Sequence, residues 1–83
     1  MSPTTYKIKS PLMGTFYSAP GPGEKPYVEV GQQVNASDVV CVIESMKVFT
    51  ELRTDKGGFV KTILVENEEL VMKNQDLIEI EIG

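Results

Sequence analysis

The chain has 83 residues, 41% of them hydrophobic, and a formal net charge of −4 at pH 7. It is long enough for one small domain and carries no basic cluster for nucleic acid or an anionic membrane. With no histidine and one cysteine, Cys41, it lacks the means for an intramolecular disulfide or for the usual zinc and Cys/His nucleophile sites.

The N-terminal third predicts two short strands followed by a polar insertion. Residues 1–5 lack an apolar signal core and are expected to be flexible, and the domain is expected to span residues 6–83. Tyr6–Ser10 alternates in polarity as an edge strand does, and Gly14–Tyr17 predicts a second strand. Three prolines and two glycines in residues 18–26 exclude a helix or a central strand there.

The middle of the chain predicts a β-hairpin with an unusual tip. An apolar run begins at Val39, a second run covers residues 48–52, and Met46 and Lys47 form the two-residue gap between the strands. A type I′ turn gives both gap residues a positive φ, which Gly, Asn and Asp adopt most easily. A tip without those residues indicates another use for Lys47, although a solvated side chain is the simpler interpretation of this lysine taken alone.

The C-terminal part predicts three more strands separated by polar turns, and no helix. The strands cover residues 59–65, 70–71 and 77–82. The last one alternates strictly, so the isoleucines are expected to face the core and the glutamates the solvent: Ile78, Ile80 and Ile82 against Glu79 and Glu81. No apolar stretch approaches the roughly 18 residues of a membrane span, so no membrane partner is expected.

An internal repeat relates the two halves of the chain. Residues 28–44 match residues 65–81 at a constant offset of 37, with five identities, and Gly14 matches Gly58 at an offset of 44. The difference, 44 − 37, places an insertion of seven residues in the proline-rich stretch. We therefore predict a quasi-twofold β structure in which the C-terminal strand is equivalent to the strand that leads to the hairpin, and Lys47 lies opposite the termini.

Several short strands with regular turns favour a sandwich or barrel. Its expected core, besides the isoleucines of the last strand, comprises Phe16, Val34, Cys41, Ile43, Leu52, Val60, Ile63 and Val71. Cys41 lies inside an apolar run, so its thiol is expected to be buried and unreactive.

The hairpin stretch Glu44-Ser45-Met46-Lys47-Val48 resembles the biotin-attachment motif Glu-Ala-Met-Lys-Met of biotin carboxyl carrier domains. Lys47 falls on the lysine that carries biotin, while Ser45 replaces the alanine and Val48 the second methionine. Residues 10–17 resemble the Ser-Pro-Met-Val-Gly-Thr-Phe-Tyr segment of these domains, and residues 28–32 their mid-domain turn. The insertion matches the thumb of bacterial and plastid acetyl-CoA carboxylase carriers.

The resemblance implies a flattened β-barrel or sandwich, a barrel-sandwich hybrid of two four-stranded antiparallel sheets with quasi-twofold symmetry. It implies covalent biotin on Lys47, with Glu44, Ser45, Met46 and Val48 beside it. The implied thumb consists of Ala19, Pro20, Gly21, Pro22, Gly23, Glu24, Lys25 and Pro26.

The resemblance also implies the partners and the setting. A biotin–protein ligase would attach biotin, a biotin carboxylase would carboxylate it, and a carboxyltransferase would pass the carboxyl group to acetyl-CoA to give malonyl-CoA for fatty-acid synthesis. The chain would be a non-catalytic carrier in the cytoplasm of a bacterium or in a plastid.

Three alternatives compete with this interpretation. A lipoyl carrier has the same fold, and Val48 suits one, but such domains usually place an aspartate where this chain has Met46. A non-carrier adaptor module would leave Lys47 unmodified. A small enzyme is disfavoured because no acid–base or nucleophile set is visible. Met46 is as suited to recognition as to packing, and Glu44, which matches Glu81, is expected to be a solvated carboxylate.

Overall fold

The computed structural model describes residues 4–82, which form eight β-strands. The strands are β1 (Thr4–Lys9), β2 (Gly14–Tyr17), β3 (Gln33–Val34), β4 (Val39–Ser45), β5 (Val48–Arg53), β6 (Gly58–Ile63), β7 (Leu70–Val71) and β8 (Asp76–Ile82). This part of the chain contains no helix, and hence none with the length and apolar character to cross a membrane.

The strands form two four-stranded antiparallel sheets. The terminal sheet has the order β1-β8-β6-β3, and the hairpin sheet has the order β5-β4-β2-β7. All pairs within the sheets are antiparallel. The predicted flattened sandwich of two four-stranded sheets is confirmed.

Two glycines show the quasi-twofold relation in atomic detail. A Cβ atom at Gly14 would collide with the carbonyl oxygen of Glu44, and one at Gly58 would collide with that of Glu81. The second pair lies at the predicted offsets of 44 and 37 from the first. Each glycine therefore permits a close approach of two strands in its own sheet.

The backbone hydrogen bonds outside the strands repeat in the same way, with nearly equal lengths. Three pairs illustrate this: Phe16 N to Glu69 O (2.8 Å) with Val60 N to Gln32 O (2.9 Å), Glu68 N to Phe16 O (2.7 Å) with Gly31 N to Val60 O (2.7 Å), and Asn74 N to Ser10 O (2.7 Å) with Ser37 N to Thr54 O (2.7 Å). The predicted repeat is therefore a structural repeat of turns as well as of strands.

The core lies between the sheets and contains the predicted residues. Those buried are Phe16, Val34, Cys41, Ile43, Leu52, Val60, Val71, Ile78 and Ile80, while Ile63 and Ile82 are partly buried and pack against them. The core also contains residues that the prediction omitted, namely Ile8, Val28, Val40, Val65 and Leu77.

Strict alternation along the last strand was wrong at Leu77. The register passes from Ile8 opposite Ile78 to Lys9 opposite Asp76, so Leu77 is an additional residue in β8. Such a β-bulge turns two consecutive side chains towards the same side, and Leu77 is fully buried. Val40 lies at the equivalent place in β4, where the register also shifts.

Several predicted strand limits also differ from the structure, most clearly those of β1 and β6. β1 begins at Thr4, which pairs with Ile82, so part of the segment expected to be flexible belongs to the terminal sheet. Residues 1–3 lie outside the described part of the chain. β6 ends at Ile63 instead of Val65, although Val65 is still buried.

The strand directions place the hairpin tip and the strand ends Thr4 and Ile82 at opposite ends of the molecule. Lys9 lies at the tip's end, because a short connection leads from it to Gly14, which packs against Glu44 beside the tip. β1 runs from Thr4 to Lys9 and β8 pairs along it, so Thr4 and Ile82 lie at the far end.

Candidate functional site

The hairpin between β4 and β5 ends in the two residues that the sequence predicted. Ser45 opposite Val48 is the last strand pair, and Met46 and Lys47 follow with φ angles of 52° and 66°. Both therefore adopt the left-handed conformation of a type I′ turn, which costs a non-glycine residue roughly 1–2 kcal/mol. Pairing along the two long strands holds the tip in this conformation.

The tip is fully presented to solvent. Met46 is 94% exposed, and the Lys47 side chain is exposed and makes no salt bridge with any of residues 4–82. A lysine presented in this way can enter the active site of another protein without first breaking an ion pair.

Glu44 is part of a side-chain cluster behind the tip, and its expected role as a merely solvated carboxylate was wrong. The Tyr17 hydroxyl donates a 2.9 Å hydrogen bond to Glu44 Oε1. The Phe49 ring lies against Tyr17, with 6.4 Å between ring centroids. The hydrogen bond to Glu44 is the main cause that raises the pKa of Tyr17. The cluster joins β2, β4 and β5 next to the tip.

The thumb, residues 19–26, is an irregular loop with a closed base. Tyr27 N donates to Ser18 O at 2.8 Å across its two ends. At its outer end, Glu24 N donates to Gly21 O at 3.2 Å, and Gly23 has a φ of 75°. A proline followed by a glycine with positive φ is the pattern of a type II turn, so the thumb has a defined shape without a strand or helix.

A groove of about 670 Å³ lies between the thumb and the outer face of the hairpin sheet. Its apolar lining consists of Tyr17, Pro20, Pro22, Tyr27, Val42 and Phe49, and Ala19 and Gly21 also border it. Val42 faces away from the core and yet is only 7% exposed. The groove starts within two residues of Lys47, at Phe49.

The polar lining of the groove is acidic. Glu51 and Glu68 border it together with Asn67, and the lining contains no cationic side chain. Burial is the main cause that raises the pKa of Tyr27, and the nearby Glu51 carboxylate adds to it. The groove therefore suits a flat, uncharged and partly apolar group.

Two kinds of reactive site, a metal cluster and an accessible thiol, are absent from the described residues. Residues 4–82 contain no group of three metal-binding side chains. Cys41 is fully buried, and burial raises the pKa of its thiol to about 12. A thiol in that state is not a nucleophile near neutral pH, as the sequence predicted.

The structure divides the predicted site residues among three places: the hairpin tip, the cluster behind it and the thumb. Lys47 and Met46 form the tip and Ser45 and Val48 its base, while Glu44 joins the cluster behind it. Only the first half of the thumb, residues 19–22, lines the groove, and residues 23–26 do not.

Sequence reasoning missed the floor and rim of the groove: Tyr17, Tyr27, Val42, Phe49, Glu51, Asn67 and Glu68. The repeat contained one signal for it. Val42 matches Glu79 at the offset of 37, so an apolar residue occupies an outward position just where the insertion is available to cover it.

Fold and tip together define a class of domain: two related antiparallel sheets that present one lysine on a tight hairpin. The sequence model of the Biotin_lipoyl family, described as "Biotin-requiring enzyme", matches residues 6–80. The chain therefore belongs to this family of biotin and lipoyl attachment domains.

Two curated relatives illustrate the similarity, and both are named biotin carboxyl carrier protein of acetyl-CoA carboxylase. The protein of Nostoc sp. is 47% identical over 74 residues, which cover 89% of this chain and 41% of the relative. That of Haemophilus influenzae is 43% identical over 74 residues, covering 89% and 48%. The chain thus spans less than half of the length of these relatives.

Solved structures agree with the assignment. The Kluyveromyces lactis urea carboxylase matches 96% of this chain with a TM-score of 0.77 and 29% identity, over 6% of its own chain. A single-chain, multi-domain long-chain acyl-CoA carboxylase matches all of this chain with a TM-score of 0.82, over 8% of its own chain. At 18% identity the second likeness concerns the fold alone.

Proposed function

We propose that this chain is the biotin carrier domain of an acetyl-CoA carboxylase and that Lys47 carries the biotin. The observation that carries the proposal is the exposed lysine at the tip of the β4–β5 hairpin, without an ion-pair partner among residues 4–82. Family membership supports it, and so do the names of the bacterial relatives.

The attachment chemistry requires a partner enzyme, a biotin–protein ligase. A lysine ammonium is no nucleophile, so the ligase must accept its proton before the free amine attacks the carbonyl carbon of a biotinyl-adenylate. An amide bond forms between Lys47 Nζ and biotin, and AMP leaves. The amide removes one positive charge, which takes the formal net charge from −4 to −5.

The carrier itself performs no chemistry in this proposal. A biotin carboxylase adds a carboxyl group to the biotin ring, and a carboxyltransferase passes that group to acetyl-CoA to give malonyl-CoA. Tethering keeps the biotin at a high local concentration near both active sites. Bacterial and chloroplastic relatives support a bacterial cytoplasm or a plastid as the location.

The groove beside the thumb is the proposed resting place of the biotin ring. Its aromatic and proline lining suits the apolar side of the ring, and the thumb backbone offers hydrogen-bonding groups to the ureido function. The long lysine side chain and the biotin chain are flexible, so the ring can fold back from the tip into the groove.

Intact-mass measurement after incubation with a biotin–protein ligase, biotin and ATP tests the attachment. The wild type should gain one biotin and Lys47→Arg none, whereas the control Lys56→Arg, at another exposed turn, should be labelled like the wild type. Biotin on Lys47→Arg would place the attachment elsewhere. In a competition with lipoate and a lipoyl ligase, preferential lipoylation would favour the lipoyl alternative, and Val48→Met should leave the biotin rate equal or higher.

Removal of residues 19–25, the seven-residue excess of the first half, tests the thumb. The variant should still fold and accept biotin, because the core requires no thumb residue. Carboxyl transfer to acetyl-CoA should fall. Unchanged transfer would make the thumb a surface loop without a role in the reaction.

A further inference from the structure

The groove combines an apolar floor with a rim whose charged side chains, Glu51 and Glu68, are both acidic. Glu68 has no salt-bridge partner among residues 4–82, and Glu51 pairs only with Arg53, at 3.2 Å, with both side chains 55% exposed. Exposed pairs of this kind are weak and easily broken, so Arg53 holds the Glu51 carboxylate only loosely. Lys25, the cation of the thumb, does not line the groove.

Glu68 occupies its place at a conformational cost. Its φ is 70°, in the left-handed region, and the equivalent residue in the other half is Gly31 with a φ of 91°. Both make the same hydrogen bond to the neighbouring strand, at 2.7 Å. A glycine would satisfy this backbone without strain, so the carboxylate of Glu68 is a feature that the turn itself does not require.

We propose that the groove distinguishes the two chemical states of the attached arm, holding the uncharged biotin ring and releasing the carboxylated ring through repulsion by Glu51 and Glu68. The inference rests on the proposed function, because it takes biotin on Lys47 as the ligand. It assigns a specificity role to two residues outside the attachment motif.

The charge change follows from the carboxylation itself. A ureido nitrogen of biotin loses its proton to solvent and forms a bond to the carbon of a carboxylate, while bicarbonate supplies the carboxyl group and ATP is split to ADP and phosphate. The ring thus goes from neutral to one negative charge. A carboxylated ring placed against Tyr17 and Val42 would bring its carboxylate towards those of Glu51 and Glu68. No cationic side chain lines the groove to offset this repulsion.

Because of this discrimination, the groove acts differently on the ring before and after carboxylation. After carboxyl transfer, the uncharged ring returns to the groove and is shielded from solvent. After carboxylation, the ring is expelled and becomes available to the next active site. The groove therefore holds the loaded arm less well than the unloaded arm, without a conformational change in the sheets.

The test compares amide NMR spectra of the apo, biotinylated and carboxylated wild-type domain. The carboxylated form is made with a biotin carboxylase, bicarbonate and MgATP, and each state is verified by intact mass. Biotinylation should shift the amides of Gly21, Val42 and Glu51. Carboxylation should reduce the ratio of groove-bound to free ring about fivefold, the factor expected from one close like-charge contact in water. The double variant Glu51→Gln with Glu68→Gln should keep the groove shifts after carboxylation.

The double variant Glu79→Gln with Glu81→Gln is the matched control, since it removes two carboxylates from the outer face of the terminal sheet; it should behave like the wild type. Groove shifts that persist in the carboxylated wild type would overturn the inference and leave the attachment to Lys47 intact. Loss of these shifts in the double variant would also overturn it, because the release would not depend on the two carboxylates. Absence of groove shifts on biotinylation would refute both the resting place and its regulation, whereas failure of biotinylation would refute the proposed function itself.

Discussion

The two sheets share one backbone plan and differ on their outer faces. The row across the hairpin sheet presents Phe49, Glu44, Thr15 and Leu70, and the equivalent row across the terminal sheet presents Thr5, Glu81, Phe59 and Gln33. Beside these rows, Val42 under the thumb corresponds to Glu79. Phe59 is the repeat equivalent of Thr15, so at this position the terminal sheet has the apolar residue and the hairpin sheet the polar one.

The comparison shows that the two halves are alike at their buried positions and differ at most of their outer positions. Both halves bury the same pattern of apolar residues and use the same turn hydrogen bonds. Within residues 4–82, the thumb, the Tyr17–Phe49 pair and the groove described above all lie on the side of the hairpin sheet. The terminal half is therefore an internal control for each feature of the site.

The largest loss of stability is expected at the two equivalent glycines, one in each half. Gly14→Ala and Gly58→Ala should each lower the free energy of unfolding by about 3 kcal/mol, because the new methyl group collides with a backbone carbonyl of the neighbouring strand. Denaturant midpoints measure this loss. A large loss for one glycine and none for the other would break the equivalence of the halves.

A smaller effect is expected where a hydrogen bond belongs to the site. Tyr17→Phe should lower the free energy of unfolding by about 1 kcal/mol, since it removes the partly buried bond to Glu44. Tyr6→Phe is the control in the terminal half, because Tyr6 donates a more exposed bond of 3.0 Å to Asp55. An equal or larger loss in Tyr6→Phe would contradict a special role of the Tyr17 cluster.

Substitutions at the equivalent positions 68 and 31 test for backbone strain, because both residues have a positive φ. Glu68→Gly should raise the free energy of unfolding by about 0.5 kcal/mol, because relief from the left-handed conformation slightly exceeds the entropy cost of a glycine. Gly31→Glu should lower it, and only for conformational reasons, since a Cβ there meets no atom within 4 Å. Thermal unfolding of the two variants should therefore move in opposite directions. Stabilisation by Gly31→Glu would show that these turns are not equivalent.

The smallest effect is a pH dependence confined to the terminal half. The hydrogen bond from Lys9 is the main cause that lowers the pKa of Asp76. Ionised Asp76 therefore stabilises the fold above the ordinary value of 3.8, and this contribution is lost as the pH falls through the lowered pKa. The equivalent pair in the hairpin half, Val39 and Arg53, has no such carboxylate.

Unfolding of Asp76→Asn between pH 5 and 2 should lack this part of the acid destabilisation, which is seen in the wild type. Identical pH profiles for the two proteins would show that the ion pair contributes nothing to stability.

Much of the fold followed from the sequence because period-two patterns and turn residues act locally. Local geometry follows from the alternation around Ile78 and Ile80 and from the gap at Met46 and Lys47. The repeat then predicted how the two halves of the chain are related. The bulges at Val40 and Leu77 did not follow, because an extra residue in a strand is fixed by pairing with a neighbour that is distant in sequence.

The candidate site, like the fold, could be predicted only in part. The hairpin lysine and the thumb were visible as a motif and an insertion. The bond between Tyr17 and Glu44 and the acidic rim at Glu51 and Glu68 depend on which strands are neighbours, and the pairing of β2 with β4 brings them together. The repeat even misled the prediction for Glu44, since its match to Glu81 hid a partner that only one half has.

The placement of the tip opposite the strand ends at Thr4 and Ile82 determines the reach of Lys47. The molecule measures 43 Å along its longest axis. Any polypeptide that continues beyond those strand ends is attached at the far end. The length of the domain is therefore added to the length of the lysine side chain in the distance that Lys47 can reach. Rotation of the whole domain about that end moves Lys47 together with the hairpin tip, in addition to any change in its own side-chain torsions.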